Sequence, residues 1–405
     1  MRIVVIGGGA AGFFAAISAQ HHHPRATVLL LEKSDKLLAK VRVSGGGRCN
    51  VTHACFTNKE LSRHYPRGER FLRKAFDLWS VKDTVAWFTD RGVGLKTEPD
   101  GRMFPTTDSS QTIIDALLNE AERLGVQVRL RSPVSRSERS GSTWKVTTER
   151  EVLQADHVIV ATGGSPKPEG LQWLVDLGHR VVAPVPSLFT FNLPNERIRE
   201  LMGVVADPVL VRIAGTNLES TGPLLITHWG FSGPAVLRLS AWGARELHER
   251  QYHFTVNVNW CGPHGEDAVR NTLQELRTDQ PRRKLRNVVP YPLPGRLWDY
   301  LLHRVEIDPE RTCETLGRKD LNRLVNTLTN DAYGASGKTT FKEEFVTAGG
   351  VSLEDVDPRT MQSRVAPGLY FAGEVLDVDG ITGGFNFQAA WTTGWIAGKG
   401  EPVQP

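Results

Sequence analysis

"RIVVIGGGAAGFFAAISA", residues 2–19, runs from an apolar stretch through a glycine cluster into an alanine-rich segment. Arg2 to Ile6 has the continuous apolar character of a parallel strand covered on both faces, not the alternation of a half-exposed one. The glycines at 7, 9 and 12 fit G-x-G-x-x-G. In that pattern Gly7 takes the tight turn, Gly9 lets the backbone approach a pyrophosphate, and Gly12 lets the helix pack closely on the strand. The helix that begins at Ala10 and Ala11 points unpaired N–H groups at the phosphates. A second apolar run, "ATVLLLE" (26–32), ends at Glu32, 20 residues after Gly12. A carboxylate there accepts hydrogen bonds from an adenosine ribose and repels a 2′-phosphate. Strand, glycine turn, helix and acid in this order predict a dinucleotide site. The alternative reading is a bare glycine turn between a strand and a helix.

The other end of the chain separates FAD from NAD. "PGLYFAGEVLDVDGITGGFNFQAAWTTGWIAG" (367–398) reads as a strand over Gly368 to Ala372, a glycine-rich turn and a helix. Gly383 and Gly384 open that helix, with Phe385, Asn386 and Gln388 in its first turn. A second helix N-terminus suits the electron-rich N1/O2 edge of an isoalloxazine. Glu374 is placed for a ribityl chain. "HVIVATGG" (157–164) reads as a buried strand that ends in a small-residue turn, with Ala161, Thr162 and Gly163 beside the dinucleotide. A dinucleotide-binding domain that resumes at the C-terminus is the organisation of a flavoprotein.

Six segments in order, "VIGGGAAG", "VSGGGRCNVT" (43–52), "GRMFP" (101–105), "VIVATGG", "LLITHWGFSGPAVLRLS" (224–240) and "GLYFAGEVLDVDGITGGFNFQAAWTTG", resemble the BaiN/RdsA-like family of NAD(P)/FAD-dependent oxidoreductases. The resemblance spans nearly the whole chain. It implies that the glycine-rich segment lies along FAD, with Gly45, Gly46 and Gly47 leaving room for the cofactor. Arg48 and Asn50 would supply donors, and Cys49 would lie close to the ring system. The candidate cofactor set also takes in Lys33, Lys40, Ser44 and Gly373. A redox role for Cys49 competes with a small buried residue packed on the cofactor.

Between about residues 187 and 345 the pattern changes. "VLVRIAG", "LLIT" and "YHFTVNVNW" alternate like antiparallel strands, and "EDAVRNTLQELR" and "RKDLNRLVNTL" have helical periodicity. The expected fold is therefore α/β: a discontinuous Rossmann-like FAD-binding domain, residues 1–186 and 346–405, whose parallel sheet carries helices on both faces. A strand-rich insertion with a small helical subdomain, 187–345, interrupts it; the resemblance implies a β-barrel-like domain with a helical cap here, and the insertion is expected to form the substrate cleft. In "THWGFSGP" (227–234) a turn is expected, with a helix from Ala235 onward. His228 is the candidate proton donor, because imidazole titrates near neutral pH. A histidine that merely orders the turn is the competing reading. Arg102 either binds an anionic group or is structural.

Composition bounds the rest. With 40% hydrophobic and 23% charged residues among 405, the chain has the make-up of a globular protein. The net charge of +4 permits an anionic cofactor or an RNA acceptor without requiring either. Cys49, Cys55, Cys261 and Cys313 form no C-x-x-C pair, so no disulfide framework or zinc site is expected, and a reducing cytoplasm fits. No apolar run is long enough to span a membrane. His21-His22-His23 is read as a loop and not as a metal site, since consecutive side chains diverge. "PRRKLR" (281–286) is a basic run suited to RNA phosphates or to solvent.

No second glycine fingerprint exists for a nicotinamide, so NADH or NADPH is expected to visit the flavin transiently in a ping-pong cycle. The expected reaction is reduction of a carbon–carbon double bond conjugated to a carbonyl. The resemblance implies an acceptor that is either a small molecule such as a steroid-like enone or uridine in ribosomal RNA, which becomes dihydrouridine. A non-enzymatic or redox-sensing FAD protein is the third class. One segment departs from the family pattern. Members carry a longer loop with G-x-T-G-D-G after A-T-G-G, whereas "ATGGSPKPEGLQWLVDLG" (161–178) passes almost directly to a helix. Nothing in the sequence fixes the oligomeric state.

Overall fold

The computed structural model describes residues 1–165, 167–340 and 346–400. The strand β1 (Arg2–Ile6) is the middle member of a five-stranded sheet. The others are β2 (Thr27–Leu31), β3 (Gln127–Arg129), β4 (His157–Val160) and β5 (Leu369–Phe371), in the order β5-β4-β1-β2-β3. Every pairing is parallel, and Ile6 is level with both Leu31 and Val160. Val4, Val5, Leu30 and Val160 are fully buried, which is why these strands read as unbroken apolar runs. The chain leaves β1 on one side for β2 and β3 and resumes on the other as β4 and β5. The carboxyl ends of β1 and β4 thus flank a topological switch point, where open α/β sheets bind nucleotides.

Two helices start at that edge. The helix α1 (Ala10–His22) follows β1 directly, and α2 (Phe385–Lys399) follows the loop after β5. A β-carbon at position 394 would lie 2.6 Å from the carbonyl oxygen of Ala11, and one at 398 would lie 2.3 Å from that of Ala15. Only glycine allows this approach. The matching of 394 with 11 and 398 with 15 makes the helices parallel, with both N-termini at the same end. Phe14 locks them through contacts with Trp391 at 5.0 Å and Trp79 at 5.7 Å. Each buried ring of this size contributes on the order of 3 kcal/mol. The sequence reading gave helices to both faces of the sheet. The structure adds an antiparallel three-stranded meander, residues 134–155, whose Trp144 donates from Nε1 to the Pro367 carbonyl beside β5.

The chain divides into two compact units, Met1–Ser187 with Lys342–Pro405, and Leu188–Phe341. The expected boundary at 345/346 falls outside the described residues. In the second unit all strand pairs are antiparallel, in a seven-stranded sheet that begins with Asp331–Ser336 and ends with Lys338–Thr339. Those two strands are joined through Gly337 alone, so the sheet returns on itself in barrel fashion. Helices Glu266–Asp279, Gly295–Arg304 and Arg318–Asn330 supply the helical part. Its core includes Trp260, Trp298, Phe231 and Tyr333.

Three local expectations change. His21 and His22 lie in the last turn of α1 and not in a loop, because that turn packs on Trp395 (ring centroids 5.8 and 5.2 Å); His23 caps the helix. In 227–234 the turn contains a short strand, Gly230–Ser232, which pairs with Phe191 and Asn192. After Gly164 a 3-10 turn, Pro168–Leu171, precedes a five-residue helix, Gln172–Asp176. All four cysteines are free, and among the described residues no cluster of three metal-ligating side chains and no helix long and apolar enough to cross a membrane occurs.

Candidate cofactor and active site

At the carboxyl end of β1 the glycines divide into two kinds. Gly7 has φ +115°, and a β-carbon there would lie 2.3 Å from the Ala161 carbonyl oxygen. At Gly12 it would lie 1.8 Å from the Gly7 oxygen. These two glycines are required by the protein's own packing. Gly9, Gly46, Gly47 and Gly163 differ: no heavy atom comes within 4 Å of a β-carbon at any of them. Their backbones face open space, as a chain that cradles a ligand must. Gly9 is also the N-cap of α1, which has neither a side-chain cap nor an acidic residue in its first turn. Its first amides, at Ala10 and Ala11, are left for an anion.

Glu32 sits at the end of β2. Its Oε2 accepts from the Gly8 amide and its Oε1 from the Ser34 amide, both at 2.8 Å. Two backbone donors orient the carboxylate next to the glycine turn, and its remaining lone pairs suit ribose hydroxyls. Lys33, next along, is exposed. Ala161 is buried and donates its amide to Ile6, while Thr162 is exposed.

The segment 43–52 closes the end of a helix, Ala39–Gly47, whose regularity breaks at Ser44, Gly45 and Gly46. The Ser44 hydroxyl donates back to the Val41 carbonyl (3.0 Å). Gly45 packs against Phe104: a β-carbon would lie 2.9 Å from that ring. Cys49 is fully buried in the left-handed region (φ +62°), and burial pushes its thiol up to about 12 despite a hydrogen bond with Ser44. Such a thiol stays protonated at neutral pH, as a buried packing group does.

Two residues expected as cofactor donors have other partners. The Arg48 guanidinium lies 4.0 Å above the Phe104 ring and donates to Glu98 (2.6 Å) and Asp108 (3.5 Å). Arg102 joins the same cluster, donating to Glu98 (3.0 Å) and Asp100 (2.7 Å). The local carboxylates offset both positive charges, so Arg102 is structural. The buried Asn50 amide links the chain ends: its oxygen accepts from the Gly384 amide (2.9 Å), and its nitrogen donates to the carbonyls of Thr52 (3.0 Å) and Met103 (3.3 Å). That orientation is the one in which every donor meets an acceptor.

Gly384 is the N-cap of α2, again with no side-chain cap and no acid in the first turn. Asn386 pins the loop before it, accepting from the Gly380 amide (2.8 Å) and donating to the Gly380 carbonyl (2.9 Å). The Phe385 ring stacks on those of both His53 (4.6 Å) and His64 (4.4 Å), which are 6.1 Å from each other, and His53 Nδ1 bonds the Gly383 carbonyl at 3.0 Å. Behind the helix start, Gln388 accepts from Thr52 (2.6 Å) and donates to Thr84 (3.0 Å) and Thr392 (3.1 Å). Glu374 is held from two sides, by Lys40 (2.7 Å) and by the Thr347 amide (2.8 Å). Gly373 donates its amide to Thr393 (2.8 Å).

The structure therefore brings Gly7, Gly9, Gly12, Glu32, Gly45, Asn50, Ala161, Glu374 and Gly384 into one interconnected edge of the first unit. His228 belongs to the second unit, exposed on a turn with its ring 4.8 Å from that of Trp229. The sequence reading missed His53, His64 and Thr347. His53 stands three residues beyond Asn50, which is a faint signal; nothing marked the others. The Thr347 hydroxyl is buried without a partner among the described residues, close to Gly164 and Glu374. An orphaned hydroxyl, open glycines and two bare helix N-termini are what FAD would complete, so the residues present fit that group.

The family described as HI0933-like protein Rossmann domain matches residues 1–400. The ribosomal RNA dihydrouridine synthase of Escherichia coli (strain K12) is 31% identical over 382 residues, covering 92% of this chain and 91% of that protein. The 3-dehydro-bile acid delta(4,6)-reductase of Clostridium scindens is 28% identical over 388 residues, covering 94% of each. Among solved structures, the 3-ketosteroid-delta4-(5alpha)-dehydrogenase of Rhodococcus jostii RHA1 shares the fold with a TM-score of 0.51 at 13% identity, over 98% of this chain and 96% of that one. The family match runs almost end to end, through the glycine turn, Glu32 and the second helix start, and the chain belongs to the HI0933-like Rossmann-domain family of BaiN/RdsA-like flavoprotein oxidoreductases.

Proposed function

We propose that this protein is an FAD-dependent reductase that takes hydride from NADH or NADPH and delivers it to a carbon–carbon double bond conjugated to a carbonyl. The observation that carries the reading is the pair of parallel helices, α1 and α2, whose uncapped N-termini lie at one edge among glycines that face open space. One N-terminus suits a pyrophosphate. The other suits the negative charge that a reduced flavin places on its N1/O2 edge. FAD, when bound, supplies the hydride chemistry.

The chain's own residues bind and orient. The amides of Ala10 and Ala11 would hold the phosphates, and Glu32 would take the ribose hydroxyls. Asn50 sets the start of α2 through the Gly384 amide, and Glu374, clamped by Lys40 and Thr347, would face the ribityl chain. The net reaction consumes one hydride and one proton. His228 is the candidate proton donor, since Cys49 holds its proton too tightly. With a single glycine fingerprint in the chain, the nicotinamide and the acceptor take turns at one site.

The acceptor class we favour is uracil in RNA, whose 5,6 double bond is conjugated to a carbonyl; the relative at 31% identity is a ribosomal RNA dihydrouridine synthase. A second reading, a steroid-like enone, is favoured by the bile acid reductase at 28%. The test is an anaerobic spectrum of the purified holoprotein during NADH and NADPH titration, followed by reoxidation with ribosomal RNA or a steroid enone. Bleaching by a nicotinamide and recovery with RNA is expected. A flavin that neither nicotinamide bleaches overturns the reductase reading in favour of a non-enzymatic FAD protein.

A further inference from the structure

Lys59 and Arg63 stand one turn apart at the short helix Asn58–Ser62, of which Arg63 is the C-cap. Arg70, Arg73 and Lys74 occupy i, i+3 and i+4 on the helix Glu69–Phe76, whose opposite face buries Phe71, Leu72, Ala75 and Phe76. All five basic residues are exposed. The two helices are tied side by side, because Asn58 Nδ2 donates to the Phe76 carbonyl (3.1 Å) and to Asp77 (3.0 Å). Among the described residues none of the five bases has a carboxylate partner, although Glu60 and Glu69 lie on the same helices.

The conspicuous basic run of the sequence behaves differently. In 281–286, Lys284 pairs with Glu310 at 2.7 Å, and Arg286 pairs with both Asp299 and Glu310. Arg283 donates to Gln280 (2.7 Å) and to the Asn287 carbonyl (3.2 Å). A phosphate would have to displace those carboxylates before it gained anything. On the helices of 58–76 it displaces only water and counterions, the source of most nucleic-acid affinity.

The position of this face is as informative as its charge. The link between the helices carries His64, stacked on Phe385, and Tyr65, whose hydroxyl donates to the Phe385 carbonyl at 2.7 Å. Arg67 forms a buried ion pair with Asp379. The basic face is thus fastened to the start of α2. Phe56 (48% exposed) and Leu78 (51%) flank the helix pair as apolar surfaces on which an unstacked base can lie.

We propose that the helix pair of residues 58–76 is the face on which the phosphate backbone of an RNA acceptor lies, so that a uracil turned out of its strand is presented at the N-terminus of α2. This inference rests on the RNA reading above. The test is filter binding of the holoprotein to deproteinised ribosomal RNA across a salt series. The wild type is compared with the variant Arg63→Gln/Arg70→Gln/Arg73→Gln/Lys74→Gln and with Arg282→Gln/Arg283→Gln. In the first variant the affinity falls at least about tenfold and the slope of log affinity against log salt drops by about three to four. Its flavin content and its bleaching by nicotinamide stay as in the wild type, and the second variant keeps the wild-type slope. Wild-type binding with an unchanged slope in the first variant overturns the assignment of this face alone. A wild type that binds no RNA overturns the RNA reading itself. If the variant's loss appears on phosphatidylglycerol vesicles and not on RNA, the face belongs to a lipid surface and the proposal fails.

Discussion

The side-chain oxygen of Asn50 accepts a hydrogen bond from the backbone amide of Gly384, 2.9 Å away across more than three hundred residues of sequence. Gly384 caps α2, so one buried amide couples the glycine-rich segment 43–52 to the second helix N-terminus. Replacing it by alanine strands the Gly384 N–H and takes a donor from the carbonyls of Thr52 and Met103, of which Met103 keeps the Val51 amide (2.9 Å). An unsatisfied buried polar group costs about 1–3 kcal/mol. Asn50→Ala is expected to lose about 2–4 kcal/mol in denaturant unfolding and most of its flavin absorbance on gel filtration. Asn50→Asp, which sets a charge against two carbonyls, does worse. Unchanged stability and full flavin content in Asn50→Ala would refute the coupling.

Gly9 and Gly12 separate folding from binding three residues apart. At Gly12 a β-carbon would lie 1.8 Å from the Gly7 oxygen, so Gly12→Ala forces α1 off β1 and is expected as insoluble protein. Gly9 has φ −91°, a conformation alanine adopts freely, and open space in front of it. Gly9→Ala is expected to fold with wild-type circular dichroism and to bind FAD at least about tenfold more weakly, about 1.4 kcal/mol. A yellow, fully loaded Gly9→Ala protein would place the pyrophosphate elsewhere.

The contrast between those glycines shows what the sequence made legible. The fingerprint at 7, 9 and 12, Glu32 and the helix opened by Gly384 follow from local rules: strand burial, turn sterics and helix ends. The strand order and the parallel start of α1 and α2 are not read from these segments; they emerge from the fold. Partner choice was not legible. Arg48 and Asn50 carry the donors a cofactor wants, yet Arg48 meets Glu98 and Asp108, which lie at least fifty residues away in sequence. The charge of 281–286 looked free until folding brought Glu310 and Asp299 beside it. Residues such as His64 and Thr347 sit in no motif. Long-range neutralisation of charge is a property of the fold, and no periodicity encodes it.

Cys49 offers a clean distinction between packing and redox chemistry. With its thiol pushed up to about 12 by burial, it is expected to resist iodoacetamide at pH 7 in the native protein and to react once unfolded. Cys49→Ala is expected to cost about 1 kcal/mol of stability and to leave the rate of flavin bleaching by NAD(P)H within about threefold of wild type. A loss of several orders of magnitude in that rate, with flavin still bound, would restore a catalytic role.

Asp379 tests the anchoring of the loop before α2. Its carboxylate is fully buried, accepts from Arg67 and from the Ser187 hydroxyl (2.8 Å), and is held above the ordinary carboxylate range by burial, which the Arg67 charge only partly offsets. Removing one member of a buried pair leaves the other charge uncompensated, at about 3–5 kcal/mol. Asp379→Ala is therefore expected to unfold at markedly lower urea concentration. The double variant Arg67→Met/Asp379→Leu, which removes both charges, is expected to recover more than half of that loss. A double variant no more stable than the single one would mean that the ion pair is not what holds the loop.

His179 sets the direction of the acid response. It is buried, with Nδ1 donating to the Leu174 carbonyl at 3.2 Å and Nε2 accepting from the Ser363 hydroxyl at 2.7 Å, so the fold binds the neutral tautomer. The Ser363 oxygen in turn accepts from the amides of Val365 and Ala366, which leaves its proton for the imidazole. Burial lowers the His179 pKa below 6.5, although the Leu174 bond and the nearby Asp355 charge act the other way. The unfolded chain therefore takes up this proton more readily than the folded one. The stability it secures is complete above pH 6.5 and declines as pH falls from there toward the lowered folded value. His179→Gln is expected to be less stable at pH 8 and to show a shallower decline between about pH 7 and pH 5 in urea titrations. A wild-type protein whose unfolding midpoint rose over that interval while the variant's stayed level would reverse the sign and with it the neutral tautomer.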